Sequence, residues 1–308
     1  VYLAYSLATI NHNAWGAELS SDPDERTRIT ATREGLALAG VVAASVLPGI
    51  LGAGGGEAAG LPRFAWLFAA IVAACLAVTL AAPQAPRAAE PPRPVVAGVA
   101  DALSDGLFRR LLVVFALNGI AAAIPATLFL FYVADVLQAE GRQGWLLALY
   151  FVAGAAGLPM WTALAARAGK TAAWAASMVV AVIAFVWAAL LGPGDVVAFA
   201  IVCVMSGAAL GADLALPPSI LADVIGRRGT MRSTGAYFGV WTLATKLNLA
   251  LAAGIALPLL DALGYAPGSR DGDATLALAI VYAAVPCLLK LGALAALFSY
   301  SAASRRAA

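Results

Sequence analysis

The side chains best able to do chemistry here are those whose polarity their neighbours do not share. Lys246 is the first. The residues around it are mostly apolar, with Thr242, Thr245 and Asn248 the main exceptions. Thr242, Lys246, Ala250 and Ala253 recur at helical spacing and fall on one stripe. Small residues beside an ammonium leave volume for a ligand or for a facing helix. Lys246 therefore reads either as lining a site, with Trp241 and Thr242 beside it, or as half of a structural pair. Asp213 is the second. It shares a stripe with Ser206 and Pro217, and the double proline Pro217-Pro218 predicts a broken helix whose freed carbonyls line a polar path. Lys246, Arg227 and Arg228 are its candidate partners, in a coupling role or a purely structural one.

Near the start, Asn11, Trp15 and Glu18 share another stripe. An indole can stack on a pyranose face while an amide both donates and accepts hydrogen bonds. The alternative is an interhelical hydrogen bond beside an interfacial aromatic. His12, the lone histidine, sits a residue further round and reads as a packing imidazole rather than a proton relay. Lys290 reads as structural, snorkelling toward a membrane face. Asp135 reads as an interfacial residue. Asn118, Pro125, Phe129 and Tyr132 form a mixed stripe that either lines a pathway or packs on a neighbour.

Two segments are dense in mixed charge. One holds Asp22, Asp24, Glu25, Arg26, Arg28 and Arg33; the other holds Asp223, Arg227, Arg228 and Arg232. They are either solvated loops or partners whose ion pairs lock one end of the molecule. Arg26, Arg28, Asp223 and Arg228 are the candidates for that lock.

The elements that must position these residues follow from composition. The chain has 308 residues, of which 62% are hydrophobic and 12% charged, with a mean hydropathy of +0.88. A soluble domain of this size has too much surface to hide so much apolar area. The fold class is therefore all-α and polytopic in a membrane. Nine runs approach or exceed the ~20 residues a crossing needs: roughly 1–19, 35–53, 62–82, 107–136, 143–166, 171–193, 196–220, 234–260 and 274–300. Breaks such as Gly54-Gly55-Gly56 and Gly192-Pro193-Gly194-Asp195 carry turn signals. The longest break, 83–106, mixes five prolines with Arg87, Glu90 and Arg93 and reads as a solvated linker between helices 1–82 and 107–308. From the first loop to the tail, Lys and Arg counts run 3, 1, 4, 1, 2, 0, 3, 1 and 2. That alternation puts 20–34, 83–106, 222–233 and the C-terminus in the cytoplasm. The chain opens with Val inside an apolar helix and shows no signal peptide. An odd helix count with an external start predicts that further helices precede it, three in a six-plus-six plan.

Several classes drop out. A net charge of +2 gives no nucleic-acid footprint. Cys75, Cys203 and Cys287 lie in apolar stretches without metal or disulfide spacing. Gly169-Lys170-Thr171 looks like the end of a phosphate loop, but Leu164 stands where its first glycine is required. No nucleophile signature accompanies His12. The sequence thus predicts no catalytic residues, no resident cofactor and no metal.

The run Ala14-Trp15-Gly16-Ala17-Glu18-Leu19-Ser20, followed by Asp22, Asp24-Glu25-Arg26, Arg28 and Arg33-Glu34, resembles the loop between helices four and five of the glycoside–pentoside–hexuronide:cation symporters. This melibiose-carrier family belongs to the major facilitator superfamily. Pro159, Trp161, Arg167, Gly169 and Lys170 look like its helix eight-to-nine turn. Ala222-Asp223-Val224-Ile225, Gly235, Tyr237-Phe238-Gly239, Lys246 and Gly264-Tyr265 look like its helices ten and eleven. The resemblance implies nine helices of an expected twelve, family helices four to twelve. It also implies cation-coupled symport of a sugar or glycoside-like solute by alternating access in the cell (inner) membrane. Asn11, Trp15, Arg33, Trp241, Thr242 and Lys246 then fall on the substrate side, with Asp213 and Lys246 in cation coupling or a charge pair. Na+ or H+ would be the monovalent coupling ion. Two departures stand out: Asn11 occupies the place of a sugar-contacting aspartate, and the family's helix-two cation carboxylates have no counterpart here. The rival expectations are a carrier of another solute, such as a lysolipid, and a truncated membrane protein that transports nothing.

Overall fold

A computed structural model describes residues 2–52, 57–81, 94–228 and 233–306. Of the expected 83–106 linker, residues 83–93 lie outside the described residues, as do Gly54-Gly55-Gly56 and Arg232. Every element among those residues is helical: α1 (Tyr2–Glu18), α2 (Pro23–Leu51), α3 (Glu57–Ala81), α4 (Val95–Ser104), α5 (Gly106–Phe131), α6 (Gln143–Ala168), α7 (Lys170–Ala188), α8 (Val196–Arg228), α9 (Thr234–Ala262) and α10 (Gly272–Arg306). Eight of them are long and apolar enough to cross a bilayer. α1, at 17 residues, spans about 26 Å at 1.5 Å per residue. The all-helical membrane architecture is as the composition requires.

Three boundaries differ from the sequence expectation. The charged stretch expected as a loop over 20–34 is helical from Pro23, because Asp22 caps it by accepting from the Asp24 amide at 2.8 Å. Pro23 pre-sets the first helical position, and Asp24 and Glu25 suit the positive end of the helix dipole. Likewise α8 runs to Arg228, its terminal arginines placed where a helix C-terminus favours cations. The predicted break at Pro217-Pro218 does not occur: α8 is continuous through both prolines. Their missing amides still remove the donors that would otherwise reach the carbonyls of Asp213 and Leu214. Part of the expected solvated linker is also ordered. α4 presses Gly98 and Ala102 against the bundle beside α9 and α5. Asp105 then starts α5 by accepting from the amides of Leu107 and Phe108.

α6 and α8 cross at close range. A Cβ at Gly157 would meet the Ala208 carbonyl oxygen at 2.6 Å, and one at Gly211 would meet that of Gly154 at 2.6 Å. Small residues let the backbones approach where apolar side chains gain little over lipid. The Trp161 indole donates to the Ala208 carbonyl across the same crossing at 2.6 Å. α5 packs on α9 and α10, and α7 on α8 and α10. Of the first three helices, α2 docks on α6 and α8, α1 docks on α9, and α3 packs on α2.

The buried apolar side chains form two large clusters. One gathers Ile124, Leu128, Tyr132, Phe199, Tyr282 and Tyr265. The other gathers Phe108, Val114, Trp174, Leu216, Tyr237 and Leu297. Asn118 on α5 and Lys290 on α10 fall between the two along their helices.

Candidate functional site

The first polar group lies at one end of the molecule. Arg26 on α2 is buried and reaches α8, where its Nη1 donates to Asp223 Oδ1 at 3.4 Å and to the Ala222 carbonyl at 3.3 Å. Its Nε donates to the Ser20 carbonyl at 2.7 Å, which fixes the guanidinium. Lys170, at the start of α7, holds the other oxygen of Asp223 at 2.5 Å. One turn further in, the hydroxyls of Thr27 and Ser219 meet at 2.9 Å. Glu18 at the end of α1 hydrogen-bonds Thr234 at the start of α9. Gly226 matters here, because a Cβ would press on Arg26 Nη1 at 2.8 Å. Of the four expected lock residues, the structure thus joins Arg26 and Asp223. Arg228 goes elsewhere, to Asp105 at 3.2 Å, and Arg28 is exposed.

Behind this group a cleft runs between α1, α2, α8 and α9, lined by Asn13, Thr30, Arg33, Pro218 and Phe238 among others. Its volume of about 10 Å3 holds about one water. Arg33 lies in it, its guanidinium bonded to the neighbouring Glu34 at 2.7 Å. Along α9 the burial falls away from the Arg26 end: Phe238 and Trp241 are buried, Thr242 is half-buried and Lys246 is exposed. Trp241 stacks on Phe115 with ring centroids 3.7 Å apart. Lys246 donates to the Ser6 hydroxyl of α1. Asn11 is exposed and its amide donates to the Leu7 carbonyl of its own helix at 2.9 Å, while Trp15 is half-buried beside His12. The expected substrate residues therefore share the α1–α2–α9 side of the molecule without converging on one point.

The second polar group is buried. Lys290 Nζ donates to Asp213 Oδ2 at 3.0 Å and to Asn118 Oδ1 at 2.7 Å. The Trp174 indole donates to Asp213 Oδ1 at 2.8 Å. This corrects two expectations. Asp213 pairs with Lys290, not with Lys246, Arg227 or Arg228, and Lys290 does not snorkel. Four helices meet at the pair. A charge in hydrocarbon costs at least about 2.5–3.5 kcal/mol unless paired, so two isolated charges of opposite sign were a legible signal for this contact.

At the opposite end from Arg26, Asp135 sits in a π-helical turn, Tyr132–Val136, that continues α5. Its side chain is buried. The Tyr265 hydroxyl and the Gly268 amide both donate to its Oδ2. Burial, with the Asp135 carboxylate bonded to it, pushes the Tyr265 phenol well above its usual value.

Eight membrane-length helices, with α2 salt-bridged to the later bundle at one end and a cleft behind that contact, have the architecture of a multi-pass membrane protein. The chain matches the MFS/sugar transport protein family over residues 1–303 and belongs to it. It is a secondary transporter of the major facilitator type. Among solved structures it is similar to a bacterial homologue of the iron transporter ferroportin in an outward-facing state. The TM-score is 0.64 at 19% identity, covering 96% of this chain and 69% of that one, a likeness of fold. No curated protein matches it in sequence.

Proposed function

We propose that the protein is a cation-coupled symporter of a sugar or glycoside-like solute in the cell (inner) membrane, working by alternating access. Helices 1–82 rock against helices 107–308, and the linker 83–106 and the C-terminus face the cytoplasm. The observation that carries this reading is the graded burial of one polar wall. It is shut at the Arg26–Asp223 contact and becomes progressively exposed along α9 toward Lys246. A carrier closed on one side has that form. In this reading Asn13, Thr30 and Arg33 receive the hydroxyls of the solute when the Arg26 end opens. Asn11, Trp15, Trp241, Thr242 and Lys246 receive them from the other side. Sugar is supported by the family and by an arginine, amides and indoles along one route. The test is uptake of a panel of labelled sugars by the protein expressed from its full reading frame, under imposed sodium or proton gradients, with a labelled lysolipid as a parallel arm. Gradient-driven accumulation of a sugar that Arg33→Ala abolishes is expected. Accumulation of the lysolipid alone, or of nothing by a well-inserted protein, overturns the proposal.

A further inference from the structure

The pair that the transport route does not use is Asp213–Lys290. It lies between the two apolar clusters, with side chains only 11% and 5% exposed. Packing is a weak reason for it to exist, since apolar residues of similar volume usually replace a buried ion pair without loss of stability. Its oxygens also discriminate among cations. The Asp213 carboxylate and the Asn118 carbonyl bring three oxygens together, whereas hard metal cations take about six or more. A proton needs one. Lys290 already fills the gap as a tethered cation.

We infer that Asp213 is the proton acceptor of the transport cycle and that Lys290 is the built-in counter-cation which a proton displaces. The inference rests on the coupled-transport reading and names its ion. A proton from water adds to Asp213 Oδ2, the hydrogen bond from Lys290 to that oxygen breaks, and Lys290 keeps its three protons and its contact with Asn118. α8 and α10 thereby lose their buried tie and keep the exposed Arg227–Ser304 hydrogen bond at their ends, while the Trp174 indole still holds Oδ1. α8 can yield there, because Pro217 supplies no amide to the Asp213 carbonyl one turn earlier. An uncompensated ammonium between two apolar clusters is costly, so the protonated state favours a conformation in which Lys290 meets water. Around the pair, α5 presents Asn118 and α7 presents Trp174. Tyr150 of α6 lies within electrostatic reach of Asp213, and Cys287 of α10 within reach of Lys290. On α9, Lys246 turns to Ser6 instead.

Trp174 provides a reporter that needs no solute. Tryptophan emission of the purified full chain is followed as the pH is lowered from alkaline to mildly acidic, in choline chloride and in sodium chloride. A step that Trp174→Phe removes, that Asp213→Asn abolishes and that moves to higher pH in Lys290→Met is expected, identical in the two salts. If either single variant fails to fold, the neutral pair Asp213→Asn/Lys290→Met keeps the packing and must lack the step. Absence of a Trp174-dependent step in the unaltered protein, its survival in Asp213→Asn, or a step driven by sodium at constant pH overturns the inference. A protein that shows the step yet accumulates no sugar keeps the proton acceptor and loses the sugar. One that accumulates sugar without the step does the reverse.

Discussion

Asp223→Asn should open the Arg26 end of the carrier. The carboxylate receives Arg26 of α2 at 3.4 Å and Lys170 of α7 at 2.5 Å, and the three side chains are 19%, 9% and 10% exposed. Of the two bonds to Asp223, only that from Arg26 joins α2 to α8, and the Arg26–Ala222 and Thr27–Ser219 bonds between these helices are untouched by the substitution, so only the Arg26–Asp223 bond changes the balance between closed and open states. Hydrogen bonds to charged groups contribute about 1.5–3 kcal/mol. The 3.4 Å length places this one toward the lower part of that range, and Asn keeps the shape but not the charge. Arg26 retains the Ser20 and Ala222 carbonyls, which limits the loss. Against this, Arg26 and Lys170 become two cations with no anion between them. The sum is about 2 kcal/mol against the closed state, or about 30-fold in its population relative to the open one. The assay is the labelling rate of a cysteine at Thr30, which lines the closed cleft, in a chain whose Cys75, Cys203 and Cys287 have been replaced. An impermeant maleimide is applied from the Arg26 side of vesicles. The rate should rise in Asp223→Asn and stay unchanged in Arg28→Ala, whose arginine is exposed. An unchanged rate in a folded Asp223→Asn protein, or an equal rise in Arg28→Ala, would refute the argument that this pair closes the end.

Three further outcomes are expected. Tyr265→Phe should lower thermal stability by about 1.5–3 kcal/mol through loss of the bond to Asp135. Because the folded protein holds the Tyr265 proton more tightly than the unfolded chain, this contribution is complete below about pH 10 and shrinks as the pH rises beyond it; melting curves of the two proteins should converge in alkali. Gly211→Val should cost at least about 1–3 kcal/mol, because its Cβ would meet the Gly154 carbonyl oxygen at 2.6 Å and neither backbone can give. A monodisperse variant with an unshifted melting temperature would contradict the α6–α8 crossing. Single cysteines at Asp24 and Arg227 should label from the cytoplasm and those at Glu140 and Ser269 from outside, and any other grouping would reverse the charge-bias orientation.

The spans were legible because length and hydropathy decide them, and the alternation of Lys and Arg is visible without coordinates. The loops were less so. Residues 23–34 and 221–228 look like loops because they are polar, yet caps such as Asp22 let a helix continue past the apolar stretch. Pro217-Pro218 misled for a related reason. Losing two amide donors weakens a helix, but α8 packs against α6 and α7 and stays continuous. At the site, the sequence named Arg26 and Asp223 among four candidates for ion pairs between the two charged segments, but not which of the four would pair. Lys170 figured only in a family-like turn, and its hold on Asp223 was missed. Asp213 was singled out correctly as a charge needing a partner, but the nearest basic residues along the chain were preferred to Lys290, 77 positions away. Partner choice is a tertiary fact, and periodicity on one helix carries no information about which other helix faces it.

In the proposed cycle the two polar groups divide the work of a carrier by their placement. Arg26–Asp223 lies at a helix end and between helix groups, and when it parts Arg26 keeps the Ser20 and Ala222 carbonyls, which limits the cost. It is suited to close one side and to reopen on each cycle. Asp213–Lys290 lies wholly within the later six helices and away from water, where breaking the pair by motion alone would strand two charges in apolar surroundings. Such a pair yields only when a cation neutralises the carboxylate. A gate that motion can break and a pair that only chemistry can break together make motion conditional on binding. That condition is what coupling a solute to an ion requires. Asp223→Asn should therefore speed exchange without abolishing ion dependence, whereas Asp213→Asn should leave exchange possible and remove the dependence. The reverse assignment would require the Arg26 end to sense the ion, and Asp223, already held by Arg26 and Lys170, leaves it no vacant oxygen.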